Sequence, residues 1–380
     1  MEQNTALNFK TPVDPDQIGM EAGGLEKLRK VFYDQIDRQA LHPAAQLVVL
    51  RHGQVVLDLA HGQGRFGHPV TPQTPFFTFS VTKAFTGVCV HKLIEQGKIE
   101  MDAPIAEYWP EFGQKGKQAA TIRDAFLHQA GIPAPNLNHQ VLRWPFWGAV
   151  TREVAETAAV YPPGEKTAYH LVNYGFILGE VVRRVTGMPI DRYLDQHFIQ
   201  PLGLKRTWMR IPADQINLSP RLFSGDKEYN SAVFIFNRRI YRRALMPAAS
   251  LHSTARDLAV FYQMLLNGGT YQGRRYLSEE TLRQATTAGA EGMDHYLHYP
   301  MRYAYGFHLQ QSYTNTKGER VYDMGSGASR QAFGHFGMAS SMAFADPETD
   351  LVLTFTCNRL IKTSHHRNRA LLEALWSAVQ

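Results

Sequence analysis

The sequence contains little cysteine, with only Cys89 and Cys357 among its 380 residues. Two thiols cannot build a disulfide framework, nor by themselves a four-ligand zinc site. Long apolar runs are missing as well, because the longest, residues 44–50, is interrupted by Gln46 and falls far short of the roughly 20 residues that cross a bilayer. The first ten residues, MEQNTALNFK, lack the basic start and the apolar run of a secretory signal. We therefore expect a cytoplasmic protein without a membrane partner.

Charged residues are scarce too, at 19% of the chain against the roughly 25% of an average soluble domain. Hydrophobic residues make up 44%, which is enough for a sizeable core and excludes a disordered chain. The net charge of +6 is small for this length. One basic cluster stands out, formed by Arg238, Arg239, Arg242 and Arg243. Because no other basic segment accompanies it, we interpret it as a solvated face and expect no nucleic-acid partner.

Strand-like segments lie near both ends of the chain, and helical segments lie between them. Residues 44–50 and 55–60 are rich in β-branched residues, and the glycine-containing turn between them predicts a hairpin. A second hairpin is predicted by residues 341–345 and 351–356, which flank another turn. Apolar residues spaced by three and four predict the helices. These helices are expected at 25–36, from Ser80 to Gly97, and at 122–127, 174–185, 255–266 and 370–379.

The N-terminal hairpin alone is too small to be stable, so it needs further strands beside it. The economical solution is an α+β fold, with one antiparallel sheet built from both chain ends, helices flanking it, and a mostly helical domain inserted between them. We expect the sheet domain to comprise residues 1–76 and 275–380, and the helical domain residues 77–274. A cleft between the two domains is the expected place for a small-molecule site.

The strongest chemical signal is Ser80-Val81-Thr82-Lys83, at the start of the helix that follows FFTF. A step of three residues places Ser80 and Lys83 on the same helix face. A serine hydroxyl becomes a nucleophile when a neighbour takes its proton, and a lysine can do so when burial and the helix N-terminus lower its pKa. The backbone N–H of Ser80 also offers half of an oxyanion hole. The pattern S-x-x-K arises by chance as well, but the apolar residues on both sides favour a buried, catalytic pair.

Two further segments carry candidate polar groups. A Pro-Pro-Gly turn at 162–164 precedes Tyr169, and a phenolate beside a cation is a competent general base. Later, His335-Phe336-Gly337 enters the second hairpin, where a glycine lets a substrate acyl group approach the strand edge. Taken alone, Tyr169 and His335 are more typical of packed or solvent-facing residues than of a site. Their combination with the serine and lysine makes them candidates.

These pieces, in this order, resemble the serine β-lactamase-like superfamily, and within it the class C β-lactamases and the family VIII carboxylesterases. The resemblance covers nearly the whole chain. The matching segments are FFTFSVTKAFTG, GKIEMDAPIAEYWPEF, TIRDAFLHQAGIP, YPPGEKTAYHLVNYGFILGEVVRRVTG, PLGLKRTWM, PAASLHSTARDLAVFYQMLLNGG and FGHFGMASSMAFADPETDLVLTF.

By position, the resemblance implies that Ser80 is the acylated nucleophile and that Lys83 activates it. Tyr169 matches the tyrosine of the family's Tyr-x-Asn motif, a base toward the serine and an acid toward the leaving group. His335 stands where β-lactamases have the lysine of their Lys-Thr-Gly motif and where the esterase relatives often have histidine. The N–H of Met338 completes the implied oxyanion hole. This chemistry implies no metal ion and no cofactor.

Two departures from the β-lactamase motifs favour esters over lactams. The Tyr-x-Asn motif ends in Leu171 here, so an amide that contacts a β-lactam side chain is missing. The Lys-Thr-Gly motif reads His-Phe-Gly, which replaces a cation and a hydroxyl with an imidazole and a phenyl ring. We therefore expect a small-molecule ester or amide substrate, hydrolysis of carboxylic esters, and weak or no β-lactamase activity. The expected substrate-binding residues are Trp144, for which core packing is the alternative, and Phe336, Gly337 and Met338.

Several alternatives stay open at this point. Acyl transfer to an alcohol or amine, cleavage of D-amino-acid peptides, and a penicillin-binding relative that acylates without turnover all use the same acyl-enzyme. The segment LVVLRHGQ also resembles the start of a histidine phosphatase, in which His52 is phosphorylated. The strand-like residues 55–60 directly after it favour a hairpin turn instead. The sequence does not indicate the oligomeric state.

Overall fold

The computed structural model describes residues 6–11, 13–133, 141–315, 317–338, 341–362 and 364–380. Strands from the N-terminal and C-terminal parts of the chain meet in one large sheet, and most helices come from the residues between these two parts. Within the described ranges, no helix is both long enough and apolar enough to cross a membrane.

The large sheet has eight antiparallel strands. They are, in chain order, β1 (Ala44–Arg51), β2 (Gln54–Gly62), β3 (Ala290–Asp294), β4 (Tyr299–Tyr303), β5 (His308–Leu309), β6 (Phe333–Phe336), β7 (Met342–Asp346) and β8 (Leu351–Cys357). Across the sheet they follow the order β2-β1-β8-β7-β6-β5-β4-β3. Because Leu47 of β1 pairs with Leu59 of β2 on one side and Phe355 of β8 on the other, the two ends of the chain join inside the sheet.

The longer helices of the described ranges are α1 (Ala22–Asp37), α2 (Thr82–Glu95), α3 (Trp147–Glu156), α4 (Asn173–Thr186), α5 (Ala255–Leu266), α6 (Glu279–Thr286) and α7 (Ser364–Trp376). Shorter helices span Ile105–Tyr108, Ile122–Phe126, Ile190–Leu194, Asn230–Phe236 and Arg239–Arg242. Short strand pairs join Phe76–Phe77 to His252–Ser253, Phe223–Ser224 to Arg359–Leu360, Thr270–Tyr271 to Arg274–Arg275, and Ser312–Thr314 to Arg320–Tyr322.

Helices cover both faces of the sheet, which explains why its inner strands β1 and β8 are buried along their whole length. Successive residues of a strand point to opposite faces. In β1, Leu47 and Val49 pack in a core cluster with residues of α1 and α7, whereas Val48 and Leu50 pack in a second cluster with residues of α5. All residues of β1 and β8 are therefore buried.

Helix α2 is buried on nearly every side, and its buried residues include the polar side chains of Lys83 and His91 as well as apolar ones. Its Phe85 stacks on Phe261 of α5, with ring centroids 3.8 Å apart and the planes at 15°. Cys89 of α2 is a buried free thiol. The sheet-side helix α5 and the helical insert thus hold α2 between them, and the N-terminal end of α2 lies at the cleft that contains Ser80.

The α+β fold expected from the sequence is confirmed. The sheet contains more strands than the two predicted hairpins supply. Three of the additional strands, β3, β4 and β5, were not predicted because they are short and lack a continuous apolar run. The helix predicted from Ser80 begins at Thr82 and is preceded by a 3-10 turn, and the last helix begins at Ser364 rather than 370. The boundaries of the two domains stay a prediction.

The arginine cluster is not the wholly solvated face that the sequence predicted. Three of its members are exposed, but Arg242 is buried. Its guanidinium donates hydrogen bonds to the carbonyl oxygens of Pro220 and Ser219, at 3.0 and 3.1 Å. These bonds satisfy part of the hydrogen-bonding capacity of the buried guanidinium. The prediction of a solvated side chain was therefore wrong for Arg242.

Candidate active site

Ser80 lies in the 3-10 turn Phe79–Val81, which leads from a short strand into α2. The preceding residue, Phe79, has a φ of +50°, a left-handed conformation that bulky residues rarely adopt. Its ring is held edge-on against Phe77 and Phe236, at centroid distances of 4.6 and 5.3 Å. Such strain persists where packing fixes it and is common at active sites. Here it accompanies a serine that lines the cleft.

Gly337 lets the end of β6 approach this turn. A Cβ atom at Gly337 would collide with the carbonyl oxygen of Thr78, so the two backbones pack with no side chain between them. The N–H of Gly337 donates to the carbonyl oxygen of Ser341 at 2.7 Å, which fixes the strand end. The next residue, Met338, lines the same cleft as Ser80. This placement keeps their two N–H groups as the candidates for the oxyanion hole.

Lys83 points its amine at Ser80, with Nζ 3.3 Å from Oγ. The same nitrogen donates to the carbonyl oxygens of Leu171 at 2.8 Å and Ala248 at 3.2 Å. The side chain is buried, and no acidic group of the described chain stabilises its charge. Burial therefore lowers the pKa of Lys83 well below its ordinary value of 10.5, because the ammonium loses its hydration without gaining a counter-ion.

Three oxygen atoms lie within hydrogen-bond distance of Lys83 Nζ, and their chemistry determines which of them accept a hydrogen bond from the neutral amine and which donates one to it. A neutral amine has two N–H donors and one lone pair. Carbonyl oxygens can only accept, so those of Leu171 and Ala248 take the two N–H groups. The lone pair is left for Ser80, whose hydroxyl can donate. The Ser80 proton therefore faces a base that is able to take it.

The phenol of Tyr169 is hydrogen-bonded to the side chain of Ser80. Its ring lies beneath the amine of Lys83, with Nζ 4.6 Å from the ring centre. Burial raises the pKa of Tyr169 above 10, and this effect outweighs the hydrogen bond to Ser80, which lowers it. The phenol is therefore protonated at neutral pH and can give a proton but not take one. This favours the acid role over the base role that the family resemblance also implied.

A buried carboxylate that the sequence did not single out holds Tyr169 in place. Asp294, at the end of β3, accepts the backbone N–H groups of Tyr169 at 3.2 Å and of Tyr296 and Leu297 at 2.8 Å. Its other oxygen accepts the hydroxyl of Tyr303 at 2.8 Å. Four donors satisfy the buried charge. Because this contact spans more than a hundred residues of sequence, no local motif reveals it.

Three histidines surround the phenol of Tyr169. The ring of His335 lies 6.4 Å from it and 4.0 Å from the ring of His308, and His128 lies 4.6 Å from the Tyr169 ring. His335 is buried and is not among the residues that the structure shows lining the cleft, whereas the buried His308 and the partly buried Phe336 do line it. Burial lowers the pKa of all three histidines, that of His308 to about 3. The position that holds a lysine in β-lactamases is thus uncharged here.

The loop that carries Tyr169 is fixed by its own backbone and side chains. The Nδ1 atom of His170 donates to the carbonyl oxygen of Ala168 at 2.7 Å, and its Nε2 accepts the N–H of Ile132 at 3.2 Å. Both ring nitrogens are satisfied, so His170 has a structural role. Leu171, which stands at the asparagine position of the family motif, lines the cleft. Among the described residues, no group of three His, Cys, Asp or Glu side chains could hold a metal ion.

The site opens into a cleft of about 540 Å³. Its wall contains three of the residues predicted to bind substrate, namely Phe336, Gly337 and Met338. Trp144 is not part of the wall as far as the structure describes it. Its indole is buried against the ring of Phe236, nearly parallel and 6.0 Å away between centroids. Trp144 therefore belongs to the core, which corrects its prediction as a pocket residue.

Comparisons with known sequences point to one family. A family model described as Beta-lactamase matches residues 32–375. The Esterase/beta-lactamase LipL of Mycobacterium tuberculosis (strain ATCC 25618 / H37Rv) is 29% identical over 355 residues, covering 83% of this chain and 77% of that protein. A protein of Salmonella agona (strain SL483), provisionally named a D-alanyl-D-alanine carboxypeptidase, is 27% identical over 387 residues, covering 92% of this chain and 86% of that protein.

A solved structure supports the same assignment. The crystal structure of a family VIII carboxylesterase superposes with a TM-score of 0.81 and 27% sequence identity, covering 94% of this chain and 98% of that one. The resemblance stated from the motifs is therefore confirmed. Since the family model extends from within α1 to within α7, this protein belongs to the beta-lactamase family.

Proposed function

We propose that this protein is a serine hydrolase that cleaves carboxylic esters through a covalent acyl-Ser80 intermediate. The observation that carries the proposal is the buried amine of Lys83, whose lone pair is left for the Ser80 hydroxyl. Membership of the beta-lactamase family and the similarity to a family VIII carboxylesterase support the same chemistry.

In acylation, neutral Lys83 takes the proton of Ser80 while Oγ attacks the ester carbonyl carbon. The new bond is Oγ–C, and the carbonyl electron pair moves onto oxygen. The N–H groups of Ser80 and Met338 stabilise this oxyanion, each by roughly 3–4 kcal/mol. The ammonium that forms on Lys83 already has the carbonyl oxygens of Leu171 and Ala248 as hydrogen-bond acceptors.

Collapse of the intermediate breaks the C–O bond to the alcohol, and the phenol of Tyr169 donates the proton that the departing oxygen needs. The Lys83 ammonium then returns a proton to the phenolate, so both groups are neutral again. Water attacks the acyl carbon in the second half of the reaction and gives its proton to Lys83. Ser80 leaves with that proton and the acid is released.

The cleft wall favours ester substrates over β-lactams. A β-lactam antibiotic carries a carboxylate, for which a fixed positive charge is a suitable partner. Here His335 and His308 are neutral, and Leu171 and Phe336 add apolar surface to the wall. A second candidate, cleavage of D-amino-acid peptides by the same route, is favoured by the name of the Salmonella agona relative.

Rapid mixing with p-nitrophenyl butyrate tests the proposal. We expect a burst of about one equivalent of p-nitrophenol and then steady release, because acylation precedes a slower hydrolysis. Intact mass after a quench should show a butyryl adduct on the wild type and on Ser377→Ala, a serine of the C-terminal segment outside the cleft wall. Ser80→Ala should show neither burst nor adduct.

Other outcomes separate the alternatives. No burst and no adduct with the wild type would contradict an acyl-enzyme esterase. A burst without turnover, relieved by added alcohol, would identify an acyltransferase. Faster release of D-alanine from a D-alanyl-D-alanine peptide than of p-nitrophenol would favour the peptidase.

A further inference from the structure

Away from the nucleophile, the cleft is bounded by the strand pair Ser312–Thr314 and Arg320–Tyr322. Two aromatic rings stand here, Tyr299 of β4 and Tyr313. They stack with centroids 5.4 Å apart and planes at 20°. Tyr299 also packs in the apolar cluster that contains Tyr169. The stacked pair therefore belongs to the same cleft as the catalytic groups, next to them rather than at a separate site.

A carboxylate stands beside these rings. Asp323 follows the strand pair, is partly buried, and lines the cleft. It accepts a hydrogen bond from the amide of Gln311 at 3.0 Å, and it makes no ion pair with any residue that the structure describes. Burial raises the pKa of Asp323 to about 6, and its negative charge raises the pKa of both Tyr299 and Tyr313. The carboxylate is thus close to both phenols.

The remaining charged groups of the described wall lie on its exposed rim. Arg369 pairs with Glu373 at 2.7 Å, and Glu319 adds a second negative charge near that arginine. Arg320 donates a hydrogen bond to the hydroxyl of Ser312 at 2.6 Å. All four charged side chains are exposed, so water screens them. Asp323 differs from them because it is partly buried and has only a neutral partner.

We propose that Asp323 and the stacked rings of Tyr299 and Tyr313 form a subsite for an ammonium group, so that the preferred esters carry a cationic amine in their acyl or alcohol half. This inference rests on the proposed function for its connection to turnover. An ammonium ion is attracted by aromatic ring faces and, in this place, also by a carboxylate that has no counter-ion. A neutral group of the same shape gains neither interaction.

Matched pairs of esters test the preference. Butyrylcholine has a quaternary nitrogen cation where 3,3-dimethylbutyl butyrate has a carbon atom, and the two esters are otherwise identical. This pair therefore tests a positive charge in the alcohol half. The p-nitrophenyl esters of 4-(trimethylammonio)butyrate and 5,5-dimethylhexanoate place it in the acyl half. Each kcat/KM is divided by the rate of hydroxide hydrolysis of that ester. In at least one of the two pairs, we expect the normalised kcat/KM of the wild type to be about tenfold or more higher for the cationic ester than for the neutral ester.

Two variants locate the preference. Asp323→Asn keeps the shape and removes the charge, so it should sharply lower the ratio of kcat/KM between cationic and neutral esters, leaving the smaller contribution of the rings. Glu373→Gln removes one negative charge from the rim of the same cleft and should keep that ratio, because Glu373 is exposed and paired with Arg369. A thermal melt of each variant verifies that it is folded.

A titration without turnover separates this inference from the proposed function. Binding of choline and of 3,3-dimethylbutan-1-ol is followed by broadening of their methyl NMR signals. Choline should bind Asp323→Asn about tenfold more weakly than the wild type and Glu373→Gln. Equal choline affinity for all three proteins, or no cationic preference in either ester pair, would overturn the subsite. If no ester is hydrolysed but choline binding depends on Asp323, the esterase proposal fails and the subsite stands.

Discussion

The charge states of Lys83 and Tyr169 are set by burial, and burial acts on the two in opposite ways. It lowers the pKa of the amine and raises the pKa of the phenol, so both are neutral over a wide pH range. A neutral amine and a neutral phenol are a base and an acid without any further activation. The division of roles between them leads to two predictions at the scale of single residues.

The first concerns Lys83. Because the base must be unprotonated, kcat/KM should fall as the pH drops through the lowered pKa of Lys83, and it should be level above that pKa. Lys83→Ala should lower kcat/KM by about 10²- to 10⁴-fold and should remove this acid limb. Lys92→Ala, on the same helix, is the control and should retain both the rate and the limb. Survival of the limb in Lys83→Ala would assign the base to another group.

The second concerns the leaving group. An alkyl alcohol needs a proton to depart, whereas p-nitrophenolate does not. Tyr169→Phe should therefore slow the hydrolysis of ethyl butyrate far more than that of p-nitrophenyl butyrate, by about tenfold or more in the ratio of the two rates. If both rates fall by the same factor, Tyr169 acts on Ser80 rather than on the leaving group.

Residues in short sequence motifs were predictable, and residues joined by the tertiary fold were not. Ser80 lies in the 3-10 turn that leads into α2, and Lys83 lies three positions later in the first turn of α2, so their contact follows from local helical geometry. Asp294 and His308 are polar residues in short strands. Nothing in their local sequence distinguishes them from residues of a solvated sheet edge, since their partners lie on other parts of the chain.

At the scale of elements, the contact between the end of β6 and the turn before α2 sets the geometry of the site. Gly337→Ala should push the two backbones apart, because its Cβ meets the carbonyl oxygen of Thr78. We expect kcat/KM to fall by about 10- to 100-fold, the size of effect that a shift of 1 Å produces. Gly148→Ala in α3 is the control, since a Cβ there meets nothing within 4 Å. Equal activity of the two variants would contradict this role.

The elements found from the sequence are those with a regular apolar pattern. Strands β1 and β8 are buried on both faces and consist mostly of apolar and β-branched residues, so their type was clear. Strands β3 to β5 are two to five residues long, and β3 contains exposed and acidic positions. Their place is fixed by pairing with neighbours in the sheet, which a local pattern does not contain.

At the scale of the whole molecule, buried histidines couple stability to pH. Seven buried histidines have a lowered pKa, to about 4 for His91 and His170 and about 3 for His308. Unfolding restores an ordinary pKa near 6.5, so the unfolded chain binds more protons between about pH 6.5 and 4. The stability from these residues is complete above pH 6.5 and is lost as the pH falls through that window.

Urea unfolding at a series of pH values measures this effect. The free energy of unfolding should fall steeply from about pH 6.5 to 4. Asp257 and Asp323, whose pKa burial raises to about 6, act in the opposite direction but are fewer. If the free energy of unfolding stays constant or rises as the pH falls through this window, the carboxyl groups dominate instead of the histidines.

The pairing of β1 with β8 also has a consequence for synthesis of the chain. The register joins residues about 300 positions apart, such as Leu47 and Phe355. While the ribosome is still making the helical insert, the first hairpin has one long edge without a partner, and such edges invite pairing with other chains. The sheet can close only when β8 has emerged. Ser80 and Gly337, which need that sheet for their contact, therefore come together only after β8 has been made.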